Sequence, residues 1–147
     1  MSDAAPYGQD LGRTEMIALP SGLRLLIVED ETLVAMAIES LLTDLGCLVV
    51  GSAASVSGGL AIADDDAVQL DAAVLDVNLD GEKVYPLAQR LTALGIPFIF
   101  STAYAASSID PEFSDVPLLA KPYESPMLAA TLQTALAARG GSSQQRH

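Results

Sequence analysis

Leu25-Leu26-Ile27-Val28-Glu29-Asp30 sets four consecutive apolar residues directly before two acids. The pattern recurs three times along the chain. Asp76 follows Ala72-Ala73-Val74-Leu75, Thr102 follows the run from Pro97 to Ser101, and Lys121 follows the run from Pro117 to Ala120. Read as parallel strands of one sheet, these runs bring all four polar clusters to the carboxyl ends, where open α/β sheets hold their ligand crevice. Three carboxylates, a hydroxyl and an ammonium then share one small site. Like charges that close cannot all ionise cheaply without a cation, so the crowding predicts a bound divalent metal.

The segments between the strands carry helical period. Val34, Ile38, Leu41, Leu42 and Leu45 form one stripe, ended by Gly46. A second strand spans Cys47 to Ala53, and Ser55 caps a helix with Val56, Leu60 and Ala63 on one face. The third strand runs from about Asp71 to Asp76. Val84, Leu87, Leu91 and Leu94 mark the next helix, with Gly95 as its cap, Pro86 in its first turn and Pro97 opening strand four. The stretch from Thr102 to Lys121 has two prolines and little apolar period, so its helix is expected to be short or frayed. Ser125, Pro126 and the stripe Leu128, Leu132, Ala135, Leu136 start a last helix, with Gly140-Gly141 as its expected stop. Five strands alternating with five helices predict an α/β fold, a flavodoxin-like doubly wound parallel sheet in the order 2-1-3-4-5 with right-handed crossovers. The expected domain spans residues 23–139, flanked by a flexible N-terminal extension, 1–22, and a disordered tail, 140–147. Met16-Ile17-Ala18-Leu19 in that extension offers apolar surface for docking a partner.

A chain of 147 residues suits one domain with a real core. The net charge of −12, with only seven basic residues, argues against direct nucleic-acid binding, which needs clustered Lys and Arg. The single Cys47 permits no internal disulfide and reads as a small buried thiol in a reducing compartment. No run reaches the ~18 apolar residues of a membrane span, and no signal peptide opens the chain, so a cytoplasmic protein is expected.

Asp76, at the end of a buried strand beside a metal and a lysine, is equipped for carboxylate nucleophilic catalysis that forms an aspartyl phosphate. The metal would neutralise phosphoryl oxygens, Lys121 would pair with another, and the Thr102 hydroxyl would donate to a third. Mg²⁺ suits an all-oxygen site held by one or two carboxylates plus phosphate, with the backbone carbonyl at Asn78 completing the set. Each residue also has a plainer reading. Glu29-Asp30 starts a helix and suits its dipole, Lys121-Pro122 reads as a solvated turn, and Thr102 as a strand-end hydroxyl. Only the joint placement separates the two sets.

Leu25 to Glu31, Val74-Leu75-Asp76-Val77-Asn78-Leu79, Phe100-Ser101-Thr102-Ala103 and Ala120-Lys121-Pro122-Tyr123 resemble the four motifs of the receiver domains of two-component response regulators. The resemblance covers residues 23 to about 138. It implies that Asp76 accepts phosphate from a sensor histidine kinase or a phosphotransfer protein and that Asp30 binds Mg²⁺ directly. It further implies that Glu29 acts mainly through water and that Thr102 and Lys121 bind the phosphoryl group. Such a protein is not an enzyme in the ordinary sense, since it assists only its own phosphorylation and dephosphorylation. Two departures stand out. Leu118 occupies the position of the family's aromatic switch, and Pro97 to Tyr104, with Asn78 to Glu82, is similar to the FATGUY subgroup, commonly paired with HWE-type and related kinases. Thr102 and Tyr104 then become the expected switch residues, with the segment Ala105 to Val116 as the partner-binding surface.

The resulting expectation is a stand-alone receiver, monomeric or weakly dimeric, signalling through a downstream protein. One alternative is an aspartyl-phosphate phosphohydrolase of haloacid-dehalogenase type, which would need an acid–base Asp where this chain has Asn78. Another is a receiver-like module that binds partners without phosphorylation.

Overall fold

The computed structural model describes residues 19–103 and 108–145. Its main sheet has five strands: β1 (Arg24–Val28), β2 (Leu48–Ala53), β3 (Ala72–Asp76), β6 (Phe98–Thr102) and β7 (Leu118–Ala120). They lie in the order β2-β1-β3-β6-β7, and every neighbouring pair is parallel. This is the expected doubly wound order. Four α-helices cover the sheet: α1 (Thr32–Asp44), α2 (Val56–Ala63), α3 (Tyr85–Leu94) and α4 (Ser125–Gln145).

Strand period two divides the apolar residues between two cores. Leu26, Val28, Ala73, Leu75, Phe98 and Phe100 face α2 and α3, meeting Val56, Leu87, Ala88 and Leu91. Leu25, Ile27, Ala72, Val74, Ile99 and Leu119 face α1 and α4, meeting Ile38, Leu42, Leu128 and Leu132. With helices on both faces, β3 and β6 are buried at every position, which is why they read as unbroken apolar runs. Cys47 is buried, and that burial pushes its thiol above the ordinary range, as befits an inert packing residue.

Local signals acted largely as read. The Ser55 hydroxyl accepts the Gly58 N–H at 3.1 Å as the cap of α2. Ser55→Ala should therefore lower stability by about 1 kcal/mol in a denaturant titration, the usual worth of an N-cap. Gly95 ends α3 in the left-handed region, φ 75°.

The fourth helix, expected to be short or frayed, is a three-residue 3-10 turn at Pro111–Phe113 among the described residues. Two features differ from expectation. Helix α4 continues through Gly140-Gly141 to Gln145. Glycine disfavours a helix interior by only about 1 kcal/mol, and no proline follows to break the ladder. The loop after β3 folds into a hairpin, β4 (Asn78–Leu79) with β5 (Glu82–Lys83), around Asp80 and Gly81 at φ 53° and 89°. Positive φ at both central positions is the turn that an Asp-Gly pair favours. Of the expected N-terminal extension, residues 1–18 lie outside the described residues; Leu19 packs on the α1/α4 core.

Candidate functional site

The chain leaves β1 toward β2 on one side and returns to β3 on the other, so the strand order reverses between β1 and β3. A crevice opens at such a point, outside the carboxyl ends of the strands. Register makes those ends level: Val28 pairs with Leu75, Asp76 with Ser101, and Thr102 with Ala120. Glu29, Asp76, Thr102 and Lys121 thus emerge along one rim. The Lys121 N–H donates to the Thr102 carbonyl at 2.9 Å, extending the β6–β7 ladder to the lysine itself.

The rim encloses a cleft of about 400 Å³ lined by Asp30, Asp76, Asn78, Asp80, Ala103 and Lys121, among others. Carboxylate oxygens of Glu29, Asp30 and Asp76 all lie within 4.8 Å of one another. The Lys121 ammonium reaches across, donating to Glu29 Oε1 at 2.8 Å and Asp76 Oδ2 at 3.1 Å. Backbone amides hold the remaining oxygens: the Glu31 N–H donates to Glu29 Oε2 and the Asn78 N–H to Asp76 Oδ1, each at 3.1 Å. The Asn78 side chain is itself engaged, its Oδ1 accepting the Gly81 N–H at 3.0 Å, which ties the loop after β3 to the hairpin turn. Glu82, on the same hairpin, accepts the Val56 N–H at 3.4 Å, at the start of α2.

Burial sets the electrostatics. Glu29 is 3% exposed, and desolvation raises its carboxyl above the ordinary value despite the Lys121 and Glu31 hydrogen bonds that pull it down. For Lys121, burial works the other way and disfavours the ammonium, but its bonds to Glu29 and Asp76 outweigh that and raise it. The ion pair therefore shows in the lysine, while in Glu29 burial masks it.

A pH dependence follows for the metal-free protein. Folded Glu29 holds its proton to higher pH than the unfolded chain, which releases it near 4.5. In the window from 4.5 upward to the raised value the native state binds more protons, so stability falls as pH rises. The stability of wild type relative to Glu29→Gln should decline through that window and level off above it. Thermal melts of both proteins in chelator across acid to neutral pH measure this, and a difference that rises with pH would contradict it.

The donor set fits a hard divalent cation: three clustered carboxylates with Asn78 beside them and no sulfur or imidazole among the residues described around the cleft.

The sequence matches the response regulator receiver domain over residues 25–133. The chain belongs to the response regulator receiver family. This receiver is structurally similar to the response regulator PhyR from Brucella abortus, with 30% identity and TM-score 0.76, covering 96% of this chain and 59% of that one. It is also similar to the BeF3-activated conformation of SdrG from Pseudomonas melonis Fr1, with 40% identity and TM-score 0.69, covering 80% and 99% of the two chains. A third likeness is the anti-anti-sigma factor PhyR from Bartonella quintana, with 25% identity and TM-score 0.76, covering 96% and 58%. The receiver thus spans less than two thirds of the two PhyR chains. Comparison with curated proteins returned no sequence relative.

The structure brings together Glu29, Asp30, Asp76, Asn78 and Lys121 in one cleft region, with Thr102 buried at its edge. Glu29 backs the cleft and is tied to Lys121, whereas Asp30 forms part of its wall. Leu118, at the position expected for an aromatic switch, pairs with Phe100 across β6–β7 and packs into the α2/α3 core. Tyr104 lies outside the described residues. Two neighbours of the site carried no assigned role in the sequence: Ser101 and Tyr123, whose hydroxyls lie 3.3 Å apart. Both sit inside quoted motifs, and a hydroxyl within the apolar run before Thr102 was the available signal. No helix among the described residues is long and apolar enough to cross a membrane.

Proposed function

We propose that this receiver is a phosphoacceptor, taking a phosphoryl group on Asp76 from the phosphohistidine of a sensor kinase or phosphotransfer protein. One observation carries the reading. Asp76 is a strand-end carboxylate that opens on the cleft, 3.1 Å from the Lys121 ammonium and clustered with two further carboxylates.

In the transfer, an Asp76 carboxylate oxygen bonds to phosphorus as the P–N bond of the donor breaks, and the departing imidazole keeps the electron pair and takes a proton from solvent. Asp30, Asp76 and the Asn78 carbonyl would hold Mg²⁺, with Glu29 acting behind them; when bound, the ion supplies charge neutralisation to the phosphoryl oxygens. Lys121 leaves the carboxylates for the added oxygens, and the Thr102 hydroxyl, at the neighbouring strand end, donates to another. Residues 23–139 form this unit, and its cytoplasmic output is a protein contact rather than nucleic-acid binding. The Bartonella quintana relative, described as an anti-anti-sigma factor, supports an output made through proteins. A FATGUY-type assignment and an HWE-type donor, with Thr102 and Tyr104 as the switch, remain the subgroup reading that accompanies it.

The phosphohydrolase alternative needs an acid–base group at position 78, and the Asn78 amide cannot shuttle protons and is occupied holding Gly81. Incubation with acetyl phosphate and Mg²⁺, followed by intact mass and peptide mapping, tests the proposal. A single phosphoryl unit on Asp76 is expected; a label elsewhere, or steady turnover of the donor with no labelled protein, overturns it.

A further inference from the structure

The face of the sheet under α1 and α4 is apolar along Leu25, Ile27, Val74, Ile99 and Leu119. Ser101 follows Ile99 on the same face of β6 and is fully buried. A buried hydroxyl there costs free energy unless it is hydrogen-bonded, and the Tyr123 phenol meets it at 3.3 Å.

Tyr123 is placed to do more than satisfy that hydroxyl. It lies two residues beyond Lys121, and the Pro122 ring between them fixes one backbone angle, which limits how far the two side chains can move independently. At one end of this segment the ammonium binds Asp76, and at the other the phenol binds Ser101, whose Cα partner on β3 is Asp76 itself. The contacts close a ring: Asp76, Lys121, Pro122, Tyr123, Ser101 and back to Asp76. Burial raises the Tyr123 phenol and the Ser101 bond pulls it back, while the charges of Lys121, Glu29 and Asp76 all reach it. On its outer side the Tyr123 ring lines an apolar groove of about 300 Å³ with Leu33, Val34, Ala37, Ile38 and Leu41 of α1.

We propose that Tyr123 is a positioning residue: its hydrogen bond to Ser101 anchors the lysine loop to β6 and so aims the Lys121 ammonium at the group carried by Asp76. The inference rests on the phosphoacceptor reading. Were Tyr123 only a space-filling ring against α1, its hydroxyl would be dispensable. If it aims Lys121, loss of the hydroxyl weakens binding of a phosphoryl group while leaving the metal carboxylates as they are.

Beryllofluoride, which adds to an aspartate carboxylate as a phosphoryl mimic, is the probe. Its affinity in saturating Mg²⁺ is measured for wild type, Tyr123→Phe, Ser101→Ala and the double variant, alongside Mg²⁺ affinity without beryllofluoride. Each single variant should lose about fivefold in beryllofluoride affinity, the worth of one hydrogen bond. The double variant should lose no more than either single one, since both remove the same bond. Mg²⁺ affinity should stay within about twofold throughout. Unchanged beryllofluoride affinity in Tyr123→Phe overturns the proposal, as do additive losses, or Mg²⁺ affinity falling in parallel with beryllofluoride, which marks a purely structural role. Ser101→Ala, which leaves the ring in place, carries the test should Tyr123→Phe disturb folding. Failure of the wild type to take up beryllofluoride with Mg²⁺ overturns the phosphoacceptor reading itself.

Discussion

Asp76→Asn is expected to abolish phosphoryl labelling, a loss of at least ~1,000-fold in rate, equivalent to about 4 kcal/mol of lost transition-state stabilisation. The amide preserves the shape of the side chain and can still accept the Asn78 N–H, but it gives up the Lys121 contact and offers phosphorus no anionic oxygen. Neither neighbouring acid can substitute. Glu29 is buried behind the cleft, with one oxygen on Lys121 and the other on the Glu31 amide. Asp30 lines the cleft from the end of β1, whereas Asp76 is the carboxylate there that shares the Lys121 ammonium with Glu29. The fold should survive the change, because the amide removes one negative charge from a crowded cluster and leaves Lys121 its contact with Glu29. Intact mass after acetyl phosphate and Mg²⁺ treatment, with a melt to confirm folding, measures the outcome. Labelling of the folded variant at the wild-type rate would move the acceptor to another residue.

The parts of this site that were legible in the sequence are those that the backbone alone determines. Parallel strands covered on both faces must be apolar throughout, so the runs before Glu29 and Asp76 announce themselves, and the residue that ends each run is placed at the crevice by topology. The alternation of strand and helix then leaves few possible orders. Side-chain pairings across long separations are different. The bond between Lys121 and Glu29 joins residues 92 positions apart, and that between Ser101 and Tyr123 joins residues 22 apart; both depend on strand register, which residue types do not print. The hairpin Asn78–Leu79 with Glu82–Lys83 was hidden because two-residue strands carry no measurable period, although its Asp-Gly turn was present to be read. Gly140-Gly141 misled in the opposite sense: a glycine pair is a strong stop when a chain is ready to turn, but α4 has no turn to make there.

Mg²⁺ should stabilise the wild-type protein and should do so far less in Asp30→Ala. A ligand present at ten times its dissociation constant adds about 1.4 kcal/mol to a native state that alone binds it, and in a domain of this size that raises the melting temperature by roughly 3 to 6 °C. In the proposed metal site the three carboxylates are expected to contribute unequally. Asp30 stands in the cleft wall, with a carboxylate oxygen within 4.8 Å of those of Glu29 and Asp76. Removing it should weaken Mg²⁺ binding at least ~100-fold, beyond the 10- to 100-fold typical for groups that only support a ligand. Glu29 already has both oxygens committed, and in Glu29→Ala the freed Lys121 ammonium can turn wholly to Asp76. Its loss should cost only about tenfold, as for a supporting group. Melting temperatures and direct titrations over a Mg²⁺ series in the three proteins separate these cases. An equal Mg²⁺ shift in wild type and Asp30→Ala would remove Asp30 from the metal site, and a larger deficit in Glu29→Ala would exchange the two roles, placing the metal behind the cleft rather than in it.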